Sequence, residues 1–166
     1  MNKRSNHKSL KQKFPISCVW GIMCSMSSVD QTTNNVSLFN ILETFTLPLT
    51  KKELEDQLKV KNPLNIRVSY QVVLFLKRLI DIKISNEEKH ADLKIKTINP
   101  EGKVVSETAF SFVFIKGKQN MRLILDINGM VVDKPGLYLH KFEIKASDNK
   151  DFFEIYETPF QVMVRE

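Results

Sequence analysis

The chain has little of what a reactive site is usually built from. Its 166 residues include only three histidines, two cysteines and five glycines. His7, His90 and His140 are scattered, and none has a second histidine or a cysteine two to four positions on, so no local metal motif forms. The glycines make no phosphate-cradling loop, since Gly-x-Gly and Gly-Lys-Ser/Thr are both absent and Gly117-Lys118 reads as a turn. No nucleophile elbow is present. The adjacent carboxylates Glu53 and Glu55, and Glu87 and Glu88, lie in polar segments and read as solvated charge. No catalytic, cofactor-binding or metal-ligating residue is therefore assigned, and an enzyme is not expected. Nor does any stretch approach the ~20 apolar residues of a membrane-spanning helix.

Acidic residues are missing from the first thirteen positions, which hold Lys3, Arg4, Lys8, Lys11 and Lys13. The net charge is +6, but removing those five leaves 20 basic against 19 acidic residues. The basicity belongs to the tail, whereas a nucleic-acid-binding domain carries it on a folded face. Leu10 is the tail's one apolar side chain besides the initiator, so residues 1–13 are expected to be disordered. The tail has two readings, a soluble leader or an arm adding sequence-blind, salt-sensitive affinity for nucleic acid or another polyanion. It has no aromatic residue on which bases could stack.

Cys18 and Cys24 fall in one expected strand, where six residues span about 20 Å at strand rise. A disulfide needs Cα atoms within about 7 Å, so free thiols and a reducing, cytoplasmic setting are expected. The competing reading is export, with residues 1–28 as a signal segment. It is weakened by Pro15 and Ser17 early in the apolar part and by the lack of a small-x-small cleavage site.

What the chain does have is alternation. Ile66, Val68, Tyr70, Val72, Leu74 and Leu76 recur at period two, the spacing of a strand with one packed face. So do Phe110, Phe112 and Phe114, then Met121, Leu123, Leu125 and Ile127. After the Pro135-Gly136 turn, Tyr138, His140, Phe142 and Ile144 alternate with Leu139, Lys141, Glu143 and Lys145. Ile16 to Ser28 reads as a first strand with Cys18, Trp20, Ile22 and Cys24 on one face. Val36 to Phe45 returns as one strand, apolar on both faces and ended by Pro48. Thr50 and Glu53 have capping-box spacing and open a short helix near 51–59, with Leu54 and Leu58 on one side. Ile80, Ile82 and Ile84 extend the central strand, and Asp148-Asn-Lys-Asp151 closes the last hairpin. Pro159 marks the C-terminal strand as an edge or as bulged.

About eight short strands with one helix and no strand–helix rhythm predict an all-β fold. The expected architecture is an antiparallel two-sheet sandwich forming a single domain over residues 14–166.

Two resemblances sharpen this expectation. Pro135-Gly-Leu-Tyr-Leu-His-Lys-Phe142 resembles the Pro-Gly-x-Tyr strand of immunoglobulin-like domains, in which a tyrosine hydroxyl bonds the preceding corner. Tyr138 stands in that place. His140 stands where antibody domains have a cysteine, so the disulfide-bonded version is not implied. Val29-Asp30, Thr33 to Glu43, the Asn-Pro-Glu-Gly102 turn and Leu125-Asp-Ile-Asn-Gly129 together resemble a small bacterial family of unknown function, which implies the sandwich and no activity. The function expected is a non-enzymatic interaction module. It would bind a protein partner through an edge strand or end loops, with the first strand and the strand around Pro159 as candidates.

Overall fold

The computed structural model describes residues 16–78, 88–146 and 150–166. The basic tail, the Ile80–Ile84 extension and most of the final turn lie outside the described residues. In chain order the elements are β1 (Ile16–Val29), β2 (Val36–Ile41), β3 (Thr44–Thr50), α1 (Lys51–Val60) and β4 (Leu64–Arg78). They continue with β5 (Lys89–Ile98), β6 (Val104–Phe114), β7 (Asn120–Val132), β8 (Gly136–Ala146) and β9 (Phe153–Arg165). One sheet has the order β2-β1-β4-β7 and the other β3-β9-β8-β5-β6. The two pack face to face as a sandwich.

The period-two residues supply the core. Tyr70, Val72, Leu74 and Leu76 of β4 are buried against Leu93, Tyr138, Phe142, Ile144 and Phe160 of the opposite sheet. Tyr138 also closes a corner. Its hydroxyl lies 2.8 Å from both Asp133 Oδ1 and Lys134 O, and accepts the Asp133 and Lys134 amides at 3.1 and 3.3 Å. Burial pushes this phenol up to about 12. The helix forms where the capping box predicts. Glu53 N–H donates to Thr50 Oγ1 at 3.3 Å and Thr50 N–H to Glu53 Oε2 at 2.7 Å, while Leu54 is buried in the core.

Four expectations change. The β1–β4 pairing shifts between Cys18 and Trp20, and this bulge reverses the face that β1 presents. Gly21 and Met23 oppose the inward Leu74 and Val72, whereas Trp20, Ile22 and Cys24 turn to the outer face. The stretch from Val36 to Phe45 is two strands, not one. Asn40 takes a positive φ of 49°, Leu42 N–H donates to Met23 O, and the chain crosses to the other sheet as β3. Pro48 lies inside β3 rather than ending a hairpin. It is tolerated because β3 pairs only with β9 and the register breaks between Leu47 and Thr50. Finally, β3 runs parallel to β9, so the second sheet is mixed, and the described strands number nine.

Candidate functional site

The outer faces of the two sheets differ. On the β3-β9-β8-β5-β6 sheet the outward residues pair by charge, with Lys94–Glu107, Lys96–Glu143, Lys141–Glu154 and Lys145–Asp92 within 3.3 Å. These half-exposed pairs keep the face charged and wet. On the other sheet Trp20 stacks on Phe75 with ring centres 5.6 Å apart, beside Ile22, Val73 and Ile124.

Four strands terminate the sheets, and three of them are blunted. β2 has six residues and the positive φ of Asn40 near its end. β3 carries Pro48. β7 carries Arg122 and Asp126, and its register with β4 breaks opposite Gly129, where φ is 108°. β6 is the least protected of the four, since its one register slip against β5 falls at its very start, between Val104 and Ser106. Its eleven residues include no proline, glycine, lysine or arginine and one charge, Glu107. Its register with β5 runs unbroken from Phe114 to Ser106. Proteins commonly protect such edges with charge, proline, bulges or short length, because unpaired amides and carbonyls recruit a further strand.

The expected edges, β1 and β9, are edges over half their length. β1 pairs with β4 from Ile16 to Cys24 and with β2 only from Cys24 onward. β9 pairs with β8 from Phe153 but with β3 only from Gln161. Pro159 thus sits where the β3 side of β9 has no strand to receive an amide. The half-edges meet each other rather than solvent, as Tyr156 of β9 donates its hydroxyl to Gly21 O of β1 at 2.8 Å.

Beside β6 the sandwich is open. Between β6 and β7 lies a cavity of about 350 Å³. Ser106, Thr108 and Phe110 of β6 form one wall and Ile127 to Val131 of β7 another. Tyr70, Thr97 and His140 also line it, and all three are buried. His140 Nε2 is 2.7 Å from the Tyr70 hydroxyl and Nδ1 is 3.1 Å from Thr97 Oγ1. The imidazole also packs on Phe160, with ring centres 4.5 Å apart. Burial pushes the His140 pKa down to about 4, so the ring is neutral at pH 7, and burial raises Tyr70.

Asp126 is the carboxylate in the cavity wall, and it does not serve the histidine. Its Oδ1 accepts from Gln71 Nε2 at 2.8 Å, and Gln71 Oε1 in turn accepts from Ser27 N–H at 2.5 Å. His90 is exposed on β5, and His7 lies outside the described residues. Among the described residues no group of three histidine, cysteine or carboxylate side chains could hold a metal ion. Cys18 and Cys24 are free thiols in β1, and burial raises Cys18 to about 11, which keeps it from acting as a thiolate.

Lys3, Arg4, Lys8, Lys11 and Lys13 lie outside the described residues. The Tyr70–His140–Thr97 set was absent from the site expectation, because Tyr70 and His140 are seventy positions apart. The available signal was a polar side chain at an inward position in each of three alternating strands. Among the described residues no helix is long and apolar enough to cross a membrane. No family model matches the chain, and no curated protein matches it.

Proposed function

We propose that this chain is a non-enzymatic interaction module of immunoglobulin-like type that takes an extended segment of a protein partner onto the edge of β6. The observation that carries the reading is that β6, among the four terminal strands of the described sheets, offers the longest run without proline, glycine, a basic residue or a register break, Ser106 to Phe114. A strand laid along it would place alternate side chains over Phe110 and Phe112, which are half-buried, so the partner segment should be apolar at every second residue. The immunoglobulin-like reading is supported by strand order. β1-β4-β7 against β9-β8-β5-β6 follows the A-B-E and G-F-C-C′ arrangement of such domains, and Tyr138 occupies the tyrosine corner. The non-enzymatic reading is supported by an imidazole too weakly basic to hold a proton at neutral pH and hydrogen-bonded to no carboxylate.

The test is affinity capture from the native host with the intact chain and with Ala109→Lys and Val113→Lys variants, which place the usual edge protection on β6. Partners captured by the intact chain and lost by both variants support the reading. Capture that survives both variants overturns it.

A second reading rests on the segregation of charge. Five cations in the first thirteen residues and a nearly balanced remainder suit a tail that adds affinity for nucleic acid or another polyanion.

A further inference from the structure

Counting hydrogens at the floor of the cavity gives a result that does not depend on the tautomer of His140. Tyr70, neutral His140 and Thr97 carry one titratable or hydroxyl hydrogen each, and two hydrogen bonds join them. If Nδ1 bears the proton it donates to Thr97 Oγ1, Tyr70 donates to Nε2, and the Thr97 hydroxyl hydrogen is left over. If Nε2 bears it, Thr97 donates to Nδ1 and the Tyr70 hydroxyl hydrogen is left over. Either way one donor has no acceptor among the described residues, on a side chain that is at most 6% exposed. Among the described residues Tyr70 and Thr97 make no further side-chain hydrogen bond. The cavity is open beside β6, so water can meet that donor, and an occupant that displaces the water must supply an acceptor in its place.

The rest of the cavity selects the occupant. Val72, Ile95, Phe110, Ile127 and Met130 give the wall an apolar part, Asn65, Ser106, Thr108 and Asn128 a neutral polar one, and no lysine or arginine lines it. An anion would have no counter-charge there, and burying one unpaired is costly. The lining's one charged group, Asp126, is already held by Gln71. The volume of about 350 Å³ equals that of about a dozen waters at ~30 Å³ each, enough for one small organic molecule.

From this arrangement we infer that the cavity between β6 and β7 binds a neutral small molecule with an apolar body and one acceptor oxygen of ketone, ester or ether type. The acceptor takes the odd hydroxyl hydrogen of the Tyr70–His140–Thr97 set. The site shares the β6 wall with the proposed docking edge but is lined by β4, β5, β7 and β8 as well, so ligand binding can be measured with no partner strand present.

Three probes of similar size separate the contributions: acetophenone, which has the acceptor, ethylbenzene, which lacks it, and benzoate, which adds charge. Each is titrated into the full chain while the His140 ring nitrogens are followed by NMR. Acetophenone should saturate and shift these signals, and should bind at least about fivefold tighter than ethylbenzene. Benzoate should not bind. Thr108→Phe, which fills the mouth from an exposed strand position, should abolish acetophenone binding while preserving the folded spectrum. Ser106→Leu fills the same mouth should the first variant misfold. Absence of saturation by acetophenone, equal affinity for acetophenone and ethylbenzene, or undiminished binding in a folded mouth-filled variant would each overturn the inference.

Discussion

An imidazole held at 4% exposure between Tyr70 and Phe160 ties the stability of the protein to pH. His140 titrates near about 4 when folded, against an ordinary value of 6.5 in the unfolded chain. Between those values the unfolded chain binds a proton that the folded chain does not, so lowering the pH favours unfolding. The contribution is complete above about pH 6.5 and falls away toward pH 4, by up to roughly 3 kcal/mol. Asp30, Glu53, Asp92 and Glu101 are also lowered by their hydrogen bonds, so a comparison of variants is needed to isolate the histidine. Urea midpoints measured from pH ~7 to ~4.5 should drop less steeply for His140→Gln than for the unaltered chain. Identical slopes would show that the ring is not buried neutral. Gly21 supplies a second residue-scale prediction. A Cβ there would stand 2.6 Å from Tyr156 Cε1 and 2.7 Å from Leu74 Cδ2. Gly21→Ala should therefore cost about 1–3 kcal/mol by overpacking, lowering Tm by roughly 2–4 °C per kcal/mol. In a Tyr156→Leu background the cost should shrink, and an unchanged Tm in the single variant would mean that β9 does not lie against β1.

Elements were legible wherever one face is packed and the ladder is regular. The inward sets of β4, β6 and β8, and of β7 as far as Ile127, follow from period-two hydrophobicity, since a regular strand cannot change face, whereas the break at Gly129 turns Met130 and Val132 to the core. β1 defeated the same rule because the bulge at Cys18–Trp20 resets its parity, and nothing in an apolar run such as Cys-Val-Trp-Gly-Ile marks the slip. The division of Val36–Phe45 depends on one asparagine at positive φ, a conformation that asparagine tolerates but does not announce. The parallel pairing of β3 with β9 joins the first third of the chain to its last residues, beyond the reach of any local pattern. The site was hidden for the same reason. Tyr70, Thr97 and His140 each look like an ordinary inward residue of a separate strand until the sheets stack. At this scale the edge variants carry the prediction. Ala109→Lys and Val113→Lys lie at solvent-facing positions of β6 and should leave stability within about 0.5 kcal/mol while blocking strand addition. A large loss of stability on thermal melting would mean that β6 is not an edge.

For the molecule as a whole, the two sheets are closed on one side by the β1–β9 contact through Tyr156 and open on the other between β6 and β7. The exposed edge and the cavity thus share one side of the sandwich, while the charge-paired face lies on the outside of the sheet that contains β6. The positive charge of the chain resides elsewhere, in its first thirteen residues. Deleting residues 1–13 should abolish salt-dependent retention on heparin, with a log–log salt slope that reflects no more than about five ionic contacts in the intact chain. Retention that persists after deletion would place the anion-binding surface on the folded body. The most direct test of the interaction reading is amide hydrogen exchange on the chain, free and bound to a captured partner. Protection gained along Val104–Phe114, with β2, β3 and β7 unchanged, is the predicted result. Protection gained at other edges or at the end loops, with the β6 amides still exchanging as in the free chain, would contradict it.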